Sequence, residues 1–125
     1  NQQYRLIKSA TPGPYTFILL ASKEVPRRVS HPQRKTIGMR VPEHKVLQEL
    51  LALHGGPLLA TTLIAPGDTD PLNDAHEIRS RLEHQIDGVI DGGACANQAT
   101  TVVDMSDGDL VLVRQGRGDA AALGL

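Results

Sequence analysis

Thr36, Gly38 and Arg40, within Lys35-Thr-Ile-Gly-Met-Arg-Val-Pro42, form the pattern with the most chemical content in this chain. A strand over Thr36–Val41 has a side-chain period of two, so the spacing sets a hydroxyl, a bare backbone position and a guanidinium in a row on one face. Gly38 lets a ligand approach the backbone, and Arg40 offers a planar fork of donors. Together they make a seat for a phosphate or a carboxylate. Taken alone, Arg40 also reads as a solvated strand charge. Further hydroxyls and guanidiniums fall at predicted strand ends: Thr16, Thr61, Thr62, Thr100, Thr101 and Arg114. Ligands of open α/β sheets gather at such ends. Donors without a general base suit a site that positions anions and lowers the cost of developing charge, as phosphoryl and nucleotidyl transfer require. No residue is therefore assigned as catalytic, and each threonine keeps its alternative reading as a β-former.

Other chemistries find no template. The chain has no G-x-x-x-x-G-K-[ST], no G-x-G-x-x-G after a strand, no G-x-S-x-G and no H-E-x-x-H. His31, His44, His54, His76 and His84 fall in predicted loops or on exposed helix faces, and the interval from His76 to His84 is too wide for a one-face metal pair. Cys95 has no cysteine partner and reads as a small residue of a Gly-rich turn rather than a nucleophile. No protein-bound metal is expected.

These residues must be positioned by elements that the pattern also predicts. Asn1–Ala10 reads as a helix stopped by Thr11-Pro-Gly-Pro14, and Tyr15–Ala21 as a strand apolar enough to be buried on both faces. A basic connection, Ser22–Lys35, holds at most a turn or two around Glu24–Val29. Pro42 closes the Thr36–Val41 strand. Glu43–His54 is the clearest helix, with Glu43 in its first turn, an apolar stripe of Val46, Leu47, Leu50, Leu51 and Leu53, and a stop at Gly55-Gly56. Leu58–Leu63 is predicted as a strand. After a loop over residues 65–73, Asp74 caps a helix over Ala75–Gln85 with Ile78, Leu82 and Ile86 inward. Gly88–Asp91 is a further predicted strand, Thr101–Met105 and Leu110–Val113 form a hairpin, and the last residues begin a helix. The sum is an α/β fold with a sheet of mixed direction.

At 125 residues there is room for one domain and one core. Its only aromatics are Tyr4, Tyr15 and Phe17, which disfavours a stacking platform for single-stranded nucleic acid. The net charge of −1 conceals an asymmetry: residues 1–45 carry nine basic and two acidic side chains, a net +7, and the remainder four and twelve, a net −8. Such a split points to an anionic partner such as a nucleotide, a pyrophosphate or an RNA backbone, or to neutralisation between the two halves. One cysteine suits a reducing cytosol, and neither a membrane span nor a signal peptide is predicted, so a cytoplasmic location is expected. The chain opens on Asn1 with what reads as the tail of a helix, as the later part of a longer domain would.

Five motifs carry a resemblance: Thr11-Pro-Gly-Pro-Tyr-Thr-Phe-Ile-Leu19, Val25-Pro-Arg-Arg28, Lys35-Thr-Ile-Gly-Met-Arg-Val-Pro42, Val89-Ile-Asp-Gly-Gly93 and Thr100-Thr-Val-Val-Asp104. In this order they resemble YrdC-like domains, and the third most resembles the YciO branch. The resemblance covers nearly all of this chain but only the C-terminal portion of the family's domain, whose Lys-x-Arg motif lies upstream. It implies a twisted mixed α/β sheet with a concave basic face. Better-known members are threonylcarbamoyl-AMP synthases, nucleotidyltransferases that join L-threonine, bicarbonate and ATP, release pyrophosphate and supply a tRNA modification. Carried over by motif, Thr36, Thr62 and Arg114 would bind ATP, with Mg²⁺ accompanying it, and Arg40 and Thr100 would bind L-threonine. Where the synthases carry Ser-x-Asn, this chain reads Thr62-Leu63-Ile64, keeping a hydroxyl and dropping the amide. Older descriptions of the family stress double-stranded RNA, for which Arg27, Arg28, Arg34 and Lys35 would supply phosphate contacts.

Overall fold

The computed structural model describes residues 1–95 and 97–125. They fall into two compact units, Asn1–Pro57 with Gln98–Leu125, and Leu58–Asn97. No described helix is long and apolar enough to cross a membrane.

The first unit is built on a sheet. Helix α1, Gln2–Ala10, starts where the Asn1 side chain accepts the Gln3 N–H at 2.9 Å, satisfying one of the helix's orphan donors. It stops at Thr11, whose hydroxyl donates to the Ile7 carbonyl at 2.8 Å. Strand β1, Tyr15–Leu20, lies centrally, antiparallel to β2, Thr36–Met39, and parallel to β3, Thr101–Asp104. Strand β4, Val111–Arg114, pairs antiparallel with β3 across a register shift at Val102/Val103, giving the order β2-β1-β3-β4. The mixed sheet expected from the sequence is therefore present.

One face of this sheet makes the core. Tyr15, Phe17, Val103 and Met105 alternate inward and meet Leu123 from a 3₁₀ turn at Ala121–Leu123, with Leu6, Ile7 and Ala10 of α1 packed against them. Phe17 and Val103 are fully buried. Burial of such side chains supplies about 1.5–3 kcal/mol each. The two rings, Tyr15 and Phe17, stack with centroids 6.0 Å apart. The Gln3 side chain ties α1 to the sheet by donating to the Met105 carbonyl at 2.9 Å.

Several expectations need correction. β1 is buried on alternate residues rather than on both faces, and Leu20 is 65% exposed. β2 ends at Met39, so Arg40 lies just beyond the ladder. Helix α2, Lys45–His54, begins after Glu43, with His44 at its N-cap; it ends as predicted at Gly55, whose φ of 80° permits the closing bond from its N–H to the Leu51 carbonyl. Leu53 is 88% exposed and does not belong to a buried stripe. The last residues form the 3₁₀ turn instead of a helix.

The second unit contains helix α3, Ala75–Leu82, capped by Asp74, which accepts the His76 N–H at 2.8 Å as expected. Arg81 reaches back to Asp68 at 2.9 Å and to Glu77 at 3.6 Å. The Asn73 amide donates to the Cys95 carbonyl and the Asn97 side chain, closing the loop on itself. The strands predicted at Leu58–Leu63 and Gly88–Asp91 do not form. Both are apolar enough for strands, but among the described residues neither has a neighbouring ladder to satisfy its backbone.

Candidate functional site

Paired residues in a ladder point to the same side of the sheet. The register joins Leu20 to Thr36 and Ile18 to Gly38, Thr16 to Val102 and Ile18 to Asp104, and Val102 to Arg114. Thr36, Gly38, Thr16, Asp104 and Arg114 therefore share the face opposite the aromatic core. Gly38 and Arg114 are exposed, so the face is an open shelf.

At one end of this shelf three predicted residues touch. The Thr16 and Thr100 hydroxyl oxygens lie 2.7 Å apart. Arg114 donates from Nε and Nη2 to the Thr100 carbonyl at 3.1 and 2.9 Å, and from Nη2 to the Thr100 hydroxyl at 3.3 Å. A guanidinium has five N–H donors, so this fixed posture still leaves the Nη1 pair available to a ligand anion. Beneath the cluster lies a buried knot. The Thr101 hydroxyl donates to the Gly118 carbonyl at 2.6 Å and accepts the Gly116 N–H at 3.0 Å, while Tyr15 donates to the Asp119 carbonyl at 2.9 Å. Thr101 is thus a structural threonine, fully buried, whereas its neighbour Thr100 faces the shelf.

The remaining predicted residues are spread more widely. Thr36 shares the face but pairs with Leu20, four residues along β1 from Thr16, a separation of about 13 Å at strand rise. Arg40 is exposed and follows the last ladder pair, Phe17 with Met39; continuing the register by one step sets it opposite Thr16. Thr62, like Thr61, is exposed and belongs to the Leu58–Asn97 unit. Arg27, Arg28, Arg34 and Lys35 are all exposed; Arg27 and Arg28 sit on a 3₁₀ turn, Arg27–Val29, and Lys35 takes a φ of 54°. Two surface depressions lie in the second unit, one against Arg79, His84 and Asp87 and one along the 67–77 loop. Neither combines a hydroxyl with a guanidinium.

Sequence reasoning missed Asp104 and gave Thr16 no role of its own. The Asp104 carboxylate accepts both the Ser106 hydroxyl at 2.6 Å and the Ser106 N–H at 2.8 Å. These bonds, helped by the positive charge of Arg34, hold its pKa below the ordinary carboxylate value. The Asp-Met-Ser spacing after a strand is a visible Asx-turn signal. Among the described residues no group of three or more His, Cys, Asp or Glu side chains could hold a metal ion.

A family model for the Sua5/YciO/YrdC domain, described as "Telomere recombination", matches residues 1–116. The crystal structure of Escherichia coli YciO superposes with a TM-score of 0.89 at 48% identity, covering 98% of this chain and 60% of that one. A threonylcarbamoyl-AMP synthase of Pyrococcus abyssi is 31% identical over 112 residues, covering 89% of this chain and 32% of the relative. The structure of P. abyssi Sua5 complexed with L-threonine matches with a TM-score of 0.79 at 29% identity, covering 92% of this chain and 34% of that one. The chain spans under two thirds of the length of these relatives.

Proposed function

The chain belongs to the Sua5/YciO/YrdC family, and on that premise we propose that it serves a nucleotide-binding enzyme of the threonylcarbamoyl-AMP synthase type, working in the cytoplasm on ATP, L-threonine and bicarbonate for tRNA modification. The observation that carries this reading is the contact of Thr16, Thr100 and Arg114 on the sheet face that also presents Thr36 and Gly38. In the proposed reaction the threonine amine and bicarbonate condense to a carbamate with loss of water. A carbamate oxygen then attacks the α-phosphorus of ATP, and the bond to the bridging oxygen breaks, so that pyrophosphate leaves with the electron pair.

The roles follow from donor chemistry. Arg114 and Thr36 would bind the nucleotide, and Arg40 and Thr100 the threonine carboxylate. Because Arg114 and Thr100 touch, the two substrates would adjoin at one end of the shelf. The held guanidinium stabilises charge as it spreads over the leaving phosphates, and Mg²⁺ would travel with those phosphates. The test is pyrophosphate release from ATP by the intact polypeptide. Dependence on both L-threonine and bicarbonate is expected, and release indifferent to either would dismiss the proposal.

A second reading, a double-stranded RNA or tRNA-binding module without turnover, is favoured by two observations. Ile64 stands where the synthases carry asparagine, and the hydrogen bond it cannot make is worth about 1.5–3 kcal/mol to a charged ligand. Arg27, Arg28, Arg34 and Lys35 are exposed within nine residues of one another.

A further inference from the structure

We infer that Thr16 is a positioning residue that fixes the Thr100 hydroxyl as a hydrogen-bond donor to a bound carboxylate. The inference rests on the functional reading above and extends it to a residue with no direct part in ligand binding.

The argument is a count of valences. A threonine hydroxyl has two lone pairs and one proton. Arg114 can only donate, so its Nη2, 3.3 Å from Thr100 Oγ1, occupies one lone pair. The contact of 2.7 Å between Thr16 Oγ1 and Thr100 Oγ1 leaves two arrangements, because either hydroxyl can donate. If Thr16 accepts, the Thr100 proton is consumed and a lone pair faces the ligand, which a carboxylate oxygen would repel. If Thr16 donates, both Thr100 lone pairs are filled and its proton is the one valence left, aimed at an acceptor. A carboxylate drawn to the shelf by Arg40 selects the second arrangement.

The surroundings support an orienting role over a packing one. Both hydroxyls are half-buried, so the bond between them is partly shielded from competing water. Thr16 and Val102 are ladder partners, and Thr101 N–H donates to the Pro14 carbonyl at 3.0 Å, so backbone bonds hold the two threonines in register from both sides. The Thr16 methyl faces Gly38, where no side chain competes for the space.

The experiment measures L-threonine and ATP affinity by calorimetry on the intact polypeptide. Thr16→Val keeps the β-branched shape and removes the hydroxyl; Thr16→Ala removes it without adding a methyl, in case the first variant folds poorly; Thr16→Ser restores it. L-threonine affinity should fall about tenfold in the valine and alanine variants, the effect of weakening one hydrogen bond to a charged group. It should return to within about twofold in the serine variant, with ATP affinity changed less than about twofold throughout. Unchanged L-threonine binding in the valine and alanine variants overturns the inference. So does an equal loss of L-threonine and ATP that serine does not rescue, since that pattern marks a structural residue. Wild-type protein that takes neither ligand overturns the functional reading itself, a result separate from either of these.

Discussion

Gly38 keeps an ordinary strand φ, and a Cβ built on it would meet only the Thr16 methyl, at the van der Waals distance of 3.6 Å. The fold therefore does not need glycine there, whereas a ligand lying on the proposed shelf would. Gly38→Ala should leave stability unchanged or raise it by about 0.4–1 kcal/mol through the unfolded chain. Denaturant midpoints should show this, and calorimetry should show ATP affinity reduced. A variant that loses stability and keeps affinity would assign the glycine to folding instead. Asp104 gives a second test at this scale. Its pKa is depressed in the folded state, chiefly by the Ser106 hydroxyl, so the stabilisation is present above the unfolded value near pH 4 and disappears as pH falls through the lower folded value. Ser106→Ala should cost on the order of 1 kcal/mol at neutral pH and progressively less below about pH 4. Thermal melts across that range would register the convergence.

At the scale of elements, the segment that follows β4 holds the Thr100–Arg114 contact in place. A Cβ at Gly116 would collide with the Ala99 carbonyl and the Thr100 backbone, and Gly116 N–H is the donor that Thr101 accepts. Gly116→Ala should therefore destabilise the protein by about 1–3 kcal/mol, as overpacking does, and should also weaken ATP binding by displacing Thr100 from Arg114. Urea unfolding and ATP calorimetry on the same samples would measure both effects. Much of this level is legible in the sequence. The stop of the first helix before Pro12, the Asp74 cap, the Gly55 stop and the β3–β4 hairpin rest on local chemistry that a few residues specify. The Leu58–Leu63 and Gly88–Asp91 strands failed because an apolar run states that a segment can be buried and says nothing about a pairing partner. Leu59, at 81% exposure, shows how far burial departed from that pattern. The Thr16–Thr100 contact was hidden for the same reason: it joins residues 84 apart through a parallel ladder whose register no local signal gives.

For the whole molecule, the separation of charge remains the feature that bears on larger partners. Residues 1–45 carry a net +7, and their exposed Arg27, Arg28, Arg34 and Lys35 fall within one connection. If RNA is a partner, affinity should drop steeply with salt, and neutralising these four residues should flatten the slope by about 0.7–0.9 for each phosphate no longer engaged. Filter binding of a short RNA duplex from about 50 to 200 mM salt would decide it, and a flat dependence in the wild type would exclude RNA. The parallel pairing of β1 with β3 carries a consequence of another kind. The Leu58–Asn97 unit is inserted in the chain between Pro57 and Gln98 of the first unit, so its ends lie within the connection that the parallel ladder closes. Closure entropy rises only logarithmically, so doubling that loop would cost about 0.6 kcal/mol. A flexible insertion in that connection would thus carry little thermodynamic penalty. The β1–β3 ladder, by contrast, cannot form until β3 has been synthesised, so the core that Val103 and Met105 complete is closed only after the inserted unit has been made.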